Sequence, residues 1–371
     1  MNDFGRQWED VREDALRVFD AVGRSGWYIL GDRLRHFEAS LGEFWGLKES
    51  IGVASGLDAI EIALRAAGMR PGDRVLTTPF SAFATTLAIV RSGGIPVFCD
   101  TDELGLLDLD EARGALRAMP GIRFLVPVHL YGFPMDSAAL GSLIKEFQLI
   151  CVEDCAQSIG ASWGGQATGL TGIAAATSFY PTKNLGAMGD GGAVLTSDAA
   201  LAARVRSLRD YGQVTKYRHT DIGWNSRLDE VQAALLDEVF LIRLSGWTER
   251  RRQIACQYLE KWSATRVRPL AAAWRSSEWR PSWHLFPVRV AAEYKTSLLS
   301  WLRANGIPAG EHYPTPIPDQ EAMAGVNSVC FGSLDRARAL AAEEVSLPIH
   351  PYMTDSEADA VLAAVANWRG D

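Results

Sequence analysis

Short apolar runs alternate with amphipathic segments through the first two thirds of the chain. The runs SIGVA (50–54), RVLTT (74–78), IPVFC (95–99), RFLVPV (123–128) and LICVED (149–154) are almost continuously apolar, as strands buried on both faces must be. Between them, DAIEIALRAA, FATTLAIVRS, LDEARGALRAM and SAALGSLIKEF place apolar residues three and four apart, which predicts helices. This βαβα rhythm implies an α/β fold with a mostly parallel sheet covered by helices on both faces. Such sheets bind ligands beyond the carboxyl ends of their strands, so the strand exits are where chemistry is expected.

The rhythm changes near Trp247. A long helical pattern, TERRRQIACQYLEKW, leads into the proline- and tryptophan-rich stretch RPLAAAWRSSEWRPSWHLFPVRV. Two further helical patterns, TSLLSWLRANG and DSEADAVLAAVANW, flank GEHYPTPIP and SLPIHPY. The expected division is a large α/β domain over residues 1–245, N-terminal helices included, and a smaller α+β domain over 246–371.

Composition narrows the class without naming a function. The chain has 371 residues, 47% of them hydrophobic and 22% charged, ordinary for a globular protein. Its formal net charge of −8 argues against nucleic acid or an anionic membrane as partner. The charged, amphipathic N-terminus does not resemble a secretion signal, and no apolar run is long enough to span a bilayer. The five cysteines (Cys99, Cys151, Cys155, Cys256 and Cys330) read as reduced, packed thiols of a cytoplasmic protein. Cys151 and Cys155 lack a second cluster to complete a metal site, so no metal is expected.

Four strand exits carry candidate chemistry. In VASGLDAI, Ser55-Gly56-Leu57 join a strand to a helix; the helix start offers N–H groups to a phosphate, and an ordinary serine cap is the alternative. In PFSAFATT, Phe80 and Phe83 stand where an aromatic can stack on a flat ring or simply pack in the core. In VEDCAQS, alternation puts Val152 and Asp154 on one face and Glu153 on the other, with Gln157 three residues beyond Asp154. In SFYPTKNLGAMGDGGAV, Lys183 lies among small residues; partial desolvation there lowers an amine's pKa and makes it a nucleophile or base near neutrality. A phosphate turn, an aromatic, a strand-end aspartate and a lysine are together the parts needed to hold pyridoxal phosphate.

The stretches VASGLDAIEIALRAAG, GDRVLTTPFSAFATTLAI, PVHLYGFPMD, VEDCAQSIGA, SFYPTKNLGAMGDGGAV, LRDYGQVTKYRHTDIGWNSRLDEVQAALL and EHYPTPIP, in this order over about residues 25–350, closely resemble the fold-type I pyridoxal-phosphate sugar aminotransferases of the DegT/DnrJ/EryC1/StrS family. The resemblance implies Lys183 as the Schiff-base lysine, Asp154 opposite the pyridine nitrogen and Gln157 beside the ring or its phenolic oxygen. It implies Phe83 as the stacking aromatic, and Ser178 with the backbone of Gly56 and Leu57 as phosphate contacts. Leu57 departs from the pattern, since many members carry a hydroxyl residue there. Asn225 resembles an asparagine that reaches the phosphate of the partner subunit, which implies a homodimer with shared sites. Candidate sugar-nucleotide contacts are Tyr180, Tyr211, Lys216, Tyr217, Arg218, His219, His312 and Tyr313; a solvated loop is the alternative for KYRHT and a packed turn for His312.

The activity implied is amination of a nucleotide-linked keto sugar by an amino acid, with L-glutamate as donor and pyridoxamine phosphate as the half-way form of the cofactor. The motifs lie closest to members that aminate C3 of dTDP-3-keto-6-deoxyhexoses. The alternatives are a 4-keto nucleotide sugar, a keto-aminocyclitol, or a noncatalytic sugar-binding or regulatory relative. A deoxygenating relative would lack Lys183, and no G-x-G-x-x-G or P-loop supports a nucleotide-dependent oxidoreductase.

Overall fold

A computed structural model describes residues 2–272 and 276–370; residues 273–275 of the proline- and tryptophan-rich stretch lie outside the described ones. Two amphipathic helices come first, α1 (Phe4–Ser25) and α2 (Asp32–Trp45). Asp3 caps α1 by accepting the Arg6 N–H, and Gly26 ends it in the left-handed region at φ 64°. The expected alternation follows: β1 (Glu49–Val53), α3 (Gly56–Ala66), β2 (Arg74–Thr77), α4 (Phe83–Arg91), β3 (Ile95–Cys99), α5 (Leu109–Ala118), β4 (Phe124–Val126), α6 (Ser137–Phe147) and β5 (Ile150–Asp154). Asp108 and Asp136 cap α5 and α6 with side-chain oxygens, which sets where each crossover helix starts.

A short ladder, β6 (Ser162–Trp163) and β7 (Gln166–Ala167), precedes β8 (Ala174–Ser178) and β9 (Gly192–Thr196). Eight strands form the central sheet in the order β1-β9-β8-β5-β4-β2-β3-β15, where β15 is Val329–Phe331. Only β9 runs against the rest, pairing antiparallel with both β1 and β8. The carboxyl ends of β1, β2, β5 and β8 therefore open on one edge, and this brings the four sequence-distant exits together.

Helices α7 (Ala199–Leu208), α8 (Glu230–Leu235) and α9 (Ile242–Lys261) continue the cover, with a hairpin of β10 (Gln213–Thr215) and β11 (Arg218–His219) after α7. A π-helical turn, Leu236–Leu241, joins α8 to α9, and Leu236, Val239 and Phe240 of it are buried. The buried carboxylate of Glu230 accepts from the N–H groups of Gly31, Arg33 and Leu34, tying α8 to the start of α2.

The C-terminal part builds a second, antiparallel sheet of β12 (Val267–Pro269), β14 (Phe286–Val290) and β16 (Glu344–Leu347), while β13 (Trp279–Arg280) pairs with β6. Helices α10 (Lys295–Ala304), α11 (Asp335–Glu343) and α12 (Asp355–Asn367) flank it. Residues beyond 246 are not confined to this unit, because β15 pairs parallel with β3 at the edge of the central sheet. The expectation that all five cysteines are packed needs correcting. Cys99, Cys151 and Cys155 are buried, but Cys256 and Cys330 are exposed, since α9 turns Cys256 outward and β15 lies at an edge. No helix among the described residues is long and apolar enough to cross a membrane.

Candidate active site

The turn from β1 into α3 approaches the end of β8 very closely. A Cβ on Gly56 would lie 2.6 Å from the Cβ of Ser178, so only glycine lets the two segments meet without displacement. Ser55 is the cap of α3, its Oγ accepting the Asp58 N–H at 3.1 Å, so the ordinary-cap reading holds for its side chain. The N–H groups of Gly56 and Leu57 have no acceptor within the helix. Ser178 Oγ lies beside them and accepts the Tyr180 N–H at 3.2 Å, which leaves its own proton to donate. A helix start and a hydroxyl facing one space form an anion cradle. Leu57 packs against the core cluster under the sheet and adds only its backbone to that cradle.

Asp154 ends β5 and is 4% exposed. Its Oδ2 accepts from Thr85 Oγ1 at 2.8 Å and its Oδ1 from the Ala156 N–H at 3.0 Å. Burial pushes its carboxyl above the usual range, while those two donors and the charge of Lys183 pull it back. Glu153 faces the other way and is held below the usual range: burial opposes its charge, but His129 and the N–H groups of Gly169 and Gly172 outweigh it. The two neighbouring carboxylates therefore differ in kind. Glu153 is saturated with donors, whereas Asp154 has only two, so its buried charge is one that a nearby cation would stabilise.

His129, Glu153 and Cys155 lie close enough to suggest a metal site, yet each is already engaged. The Met135 N–H donates to His129 Nδ1 at 3.2 Å, so the ring proton is on Nε2 and donates to Glu153 at 2.9 Å. Burial keeps the Cys155 thiol protonated. The trio is a structural clamp.

Lys183 follows a tight turn in which its own N–H donates to the Tyr180 carbonyl at 2.8 Å. It is half-buried, and burial lowers its amine to about 8 against the opposing pull of Asp154. The glycines after it do packing rather than ligand binding. A Cβ on Gly186 would meet the Pro181 carbonyl at 2.3 Å, and one on Gly192 the Ser55 carbonyl at 2.4 Å. The GAMGDGG run is thus a close-packed turn that delivers β9 against the turn from β1 into α3.

Gln157 bridges two tyrosines: its Oε1 accepts the Tyr131 N–H at 2.6 Å and its Nε2 donates to the Tyr313 hydroxyl at 3.2 Å. Tyr313 packs edge-on to Phe80 with ring centres 6.4 Å apart. Phe83, at the first position of α4, is partly buried against Phe98, Ile317, Met323 and Leu334. His312 is half-buried, and burial with the nearby charge of Lys183 lowers its imidazole to about 4.

Of the remaining sequence candidates, Tyr180 lies in the turn between Ser178 and Lys183, and the others lie on the segment from Tyr211 to Asn225. Tyr180 and Tyr211 are exposed, and Arg227 lies over the Tyr211 ring. Lys216, Tyr217, Arg218 and His219 form the exposed β10–β11 hairpin; Lys216 lies over Tyr217, and His219 Nδ1 meets the Tyr211 carbonyl at 3.0 Å. Asn225 is exposed and its Oδ1 is held by Arg227. Its neighbour Ser226 turns inward, donating to Asp58 at 2.7 Å and accepting the Ala54 N–H at 3.1 Å, so this segment borders the turn from β1 into α3 while Asn225 faces out.

Sequence reading missed Thr85, Tyr131, Asn184 and His284. Thr85 looked like any polar residue in the first turn of a helix. His284 Nδ1 donates to Asn184 Oδ1 at 3.2 Å, the orientation that Asn184 requires because its amide donates to the Ser282 carbonyl at 3.0 Å. Burial and the charge of Lys183 hold that imidazole neutral. No spacing signal linked residue 284 to residue 183.

These residues fit pyridoxal phosphate on this structure's own terms. The helix start at Gly56 suits its phosphate, the buried and incompletely neutralised carboxylate of Asp154 suits its ring nitrogen as a cation, and Lys183 carries an amine lowered to about 8. Comparison with known proteins agrees. The chain matches the DegT/DnrJ/EryC1/StrS aminotransferase family model over residues 9–366. It is 40% identical over 366 residues to the dTDP-3-amino-3,4,6-trideoxy-alpha-D-glucose transaminase of Streptomyces venezuelae, covering 99% of this chain and 95% of that one. It is 38% identical over 369 residues to a protein of Geobacillus stearothermophilus named a pleiotropic regulatory protein, covering 99% of this chain and 98% of that one. The crystal structure of S. venezuelae DesV in complex with a ketimine intermediate superposes with a TM-score of 0.93 at 40% identity, covering 99% of this chain and 97% of that one. The chain belongs to the DegT/DnrJ/EryC1/StrS aminotransferase family.

Proposed function

We propose that this protein transfers an amino group from L-glutamate to a nucleotide-linked keto sugar, with pyridoxal phosphate as cofactor and a dTDP-3-keto-6-deoxyhexose as acceptor. The observation that carries the reading is the pairing of a buried, incompletely neutralised Asp154 with a desolvated Lys183 at converging strand exits. The Streptomyces relative's transaminase name supports the C3 amino-sugar class. The name of the Geobacillus relative raises the regulatory alternative, against which both Asp154 and Lys183 stand.

Pyridoxal phosphate, when bound, supplies an electron sink for the carbon that loses its proton. The chain supplies the rest. The start of α3 and Ser178 would hold the phosphate and so orient the ring. Asp154, whose charged form is favoured by Thr85 and the Ala156 N–H against its burial, would favour positive charge on the ring nitrogen. Lys183 would anchor the cofactor through its amine and, when that amine is free, would take and return the proton of the amine-bearing carbon. Its desolvated amine is neutral often enough near pH 7 to 8 to accept that proton. Gln157 and Tyr313 border the ring side, and His312 borders the sugar. Asn225, with the β10–β11 hairpin, serves the site of the partner in a homodimer.

Borohydride reduction of the pyridoxal-phosphate-loaded protein followed by peptide mapping should label Lys183; a label on any other lysine overturns the assignment. A panel of keto sugars with glutamate, read by the mass and position of the new amine, should show turnover with the 3-keto nucleotide sugar. Turnover of the 4-keto isomer alone would replace it with the alternative acceptor.

A further inference from the structure

A chain of three polar side chains runs from the second sheet to His312, which lies within electrostatic reach of Lys183. Glu344 and Ser346 lie two residues apart on β16 and so share a face. Both are fully buried. Ser346 Oγ donates to Glu344 Oε1 at 2.5 Å and lies 3.0 Å from His312 Nδ1. Glu344 Oε2 accepts the His312 backbone N–H at 2.7 Å. Reciprocal backbone bonds between Gly310 and Ser346, at 3.1 and 2.8 Å, fix the register of the two segments. The Tyr131 hydroxyl donates to the His312 carbonyl at 2.6 Å, holding the segment from the cofactor side.

The direction of this chain follows from counting protons. A hydroxyl has one to donate. While Glu344 is ionised it can only accept, so the Ser346 proton goes to Glu344. Ser346 Oγ must then accept from His312, whose ring proton is therefore on Nδ1. Nε2 is left with a lone pair and has no protein partner among the described residues. Protonation of Glu344 on Oε1 reverses the sense. Glu344 donates to Ser346, Ser346 donates to Nδ1, and the ring proton sits on Nε2. One proton is bound at Glu344, and the ring stays neutral throughout.

We propose that Glu344, acting through Ser346, is a positioning residue that sets which ring nitrogen of His312 carries the proton, and thereby whether the pocket wall beside Lys183 offers a hydrogen-bond acceptor or a donor. In the acceptor state Nε2 takes a hydroxyl of the sugar ring. It does not take a phosphate or carboxylate oxygen, so the diphosphate end of the substrate is assigned away from this wall. The identity of that hydroxyl-bearing ligand rests on the proposed function, whereas the proton relay does not. Among the described residues, the charged and titratable groups around it are Lys295, Glu311, Tyr131, Tyr313, Lys183 and the neutral ring of His284. Lys295 is engaged with Glu311 at 2.6 Å and with the Ala341 carbonyl at 2.7 Å. Burial raises Glu344 to about 7, with Lys295 pulling down and Glu311 pushing up. The imidazole of His312 stays uncharged through that range. The switch therefore works near neutral pH.

The test uses the cofactor-loaded protein with 15N-labelled histidine, whose six residues give a tractable spectrum; His312→Gln assigns the signal. Two-bond 15N–1H correlations distinguish the tautomers. The expected result is Nδ1–H near pH 9 and Nε2–H near about pH 5.5, crossing near the Glu344 value. Glu344→Gln, nearly isosteric, and Ser346→Ala should each abolish the crossing, and Ser346→Thr should restore it. In steady state, the keto-sugar KM of the wild type should rise about tenfold below the crossing, the worth of one hydrogen bond, and become independent of pH in Glu344→Gln. An Nε2–H tautomer near pH 9, or a crossing that survives Ser346→Ala, overturns the relay. A crossing in a protein that aminates no keto sugar sinks the proposed function and leaves the relay standing; turnover with a tautomer fixed at all pH values does the reverse.

Discussion

At the residue scale, the site turns on how two buried charges are balanced. Asp154 raises the pKa of Lys183 by its charge, and burial lowers it. Asp154→Asn should therefore leave the fold intact, drop the free amine of the cofactor-free protein below about 8, and reduce transamination severely. The pH dependence of lysine labelling by an amine reagent checks the first effect, and unchanged kinetics would refute the second. Thr85 acts in the opposite sense on Asp154. Removing its hydroxyl in Thr85→Val deletes a donor to the carboxylate and lets burial raise that carboxyl further. The acid limb of the kcat/KM profile should then move to higher pH, with a loss of about ten- to a hundredfold at neutrality, the worth of a hydrogen bond to a charged group. A profile superposable on the wild type would show that the Thr85 hydroxyl does not support the charge. Asp154 and Lys183 were legible in the sequence because each sits at a strand exit among residues that suit no surface role. Thr85 was not, because its partner is 69 positions away and a threonine in a helix carries no sign of what it faces.

At the element scale, the cradle depends on two glycines that let backbones meet. Gly56→Ala would set a Cβ 2.6 Å from that of Ser178, so β8 and the start of α3 must separate. The expected outcome is a loss of about 1–3 kcal/mol in stability and weaker cofactor binding, read by thermal unfolding with and without pyridoxal phosphate. A variant that binds the cofactor as tightly as wild type would place the phosphate elsewhere. The same scale shows which elements announce themselves. Strands β1 to β5 were readable because their runs of Val, Ile, Leu and Phe are continuous and bounded by helices. Strand β8 was not, since Ala174, Ala175 and Ala176 have no strand preference of their own and are extended only because β5 and β9 flank them. β15 escaped for a similar reason: three residues at an edge are too few for periodicity.

At the scale of the whole molecule, the single chain leaves conspicuous apolar surface uncovered. Leu16 and Phe19 of α1, Trp27 and Tyr28 after it, and Ile242 of α9 are all exposed. Such residues are expected at an interface between copies of the chain. The outward-facing Asn225 and the β10–β11 hairpin make no hydrogen bond or ring contact to the Lys183 pocket among the described residues of the same chain. Both facts are met if each site is completed by the neighbouring subunit, and this makes a quantitative prediction. In dimers formed randomly from Lys183→Ala and Asn225→Ala chains, half the dimers are mixed, and each mixed dimer has one site with both residues intact. Activity should recover to about a quarter of the wild-type value per chain, well above the mean of the two parent variants. If Asn225 instead serves its own chain, no site in the mixture contains both residues and activity stays at that mean. The sequence implied this arrangement only through resemblance, because no pattern within one chain records which surface a second copy covers.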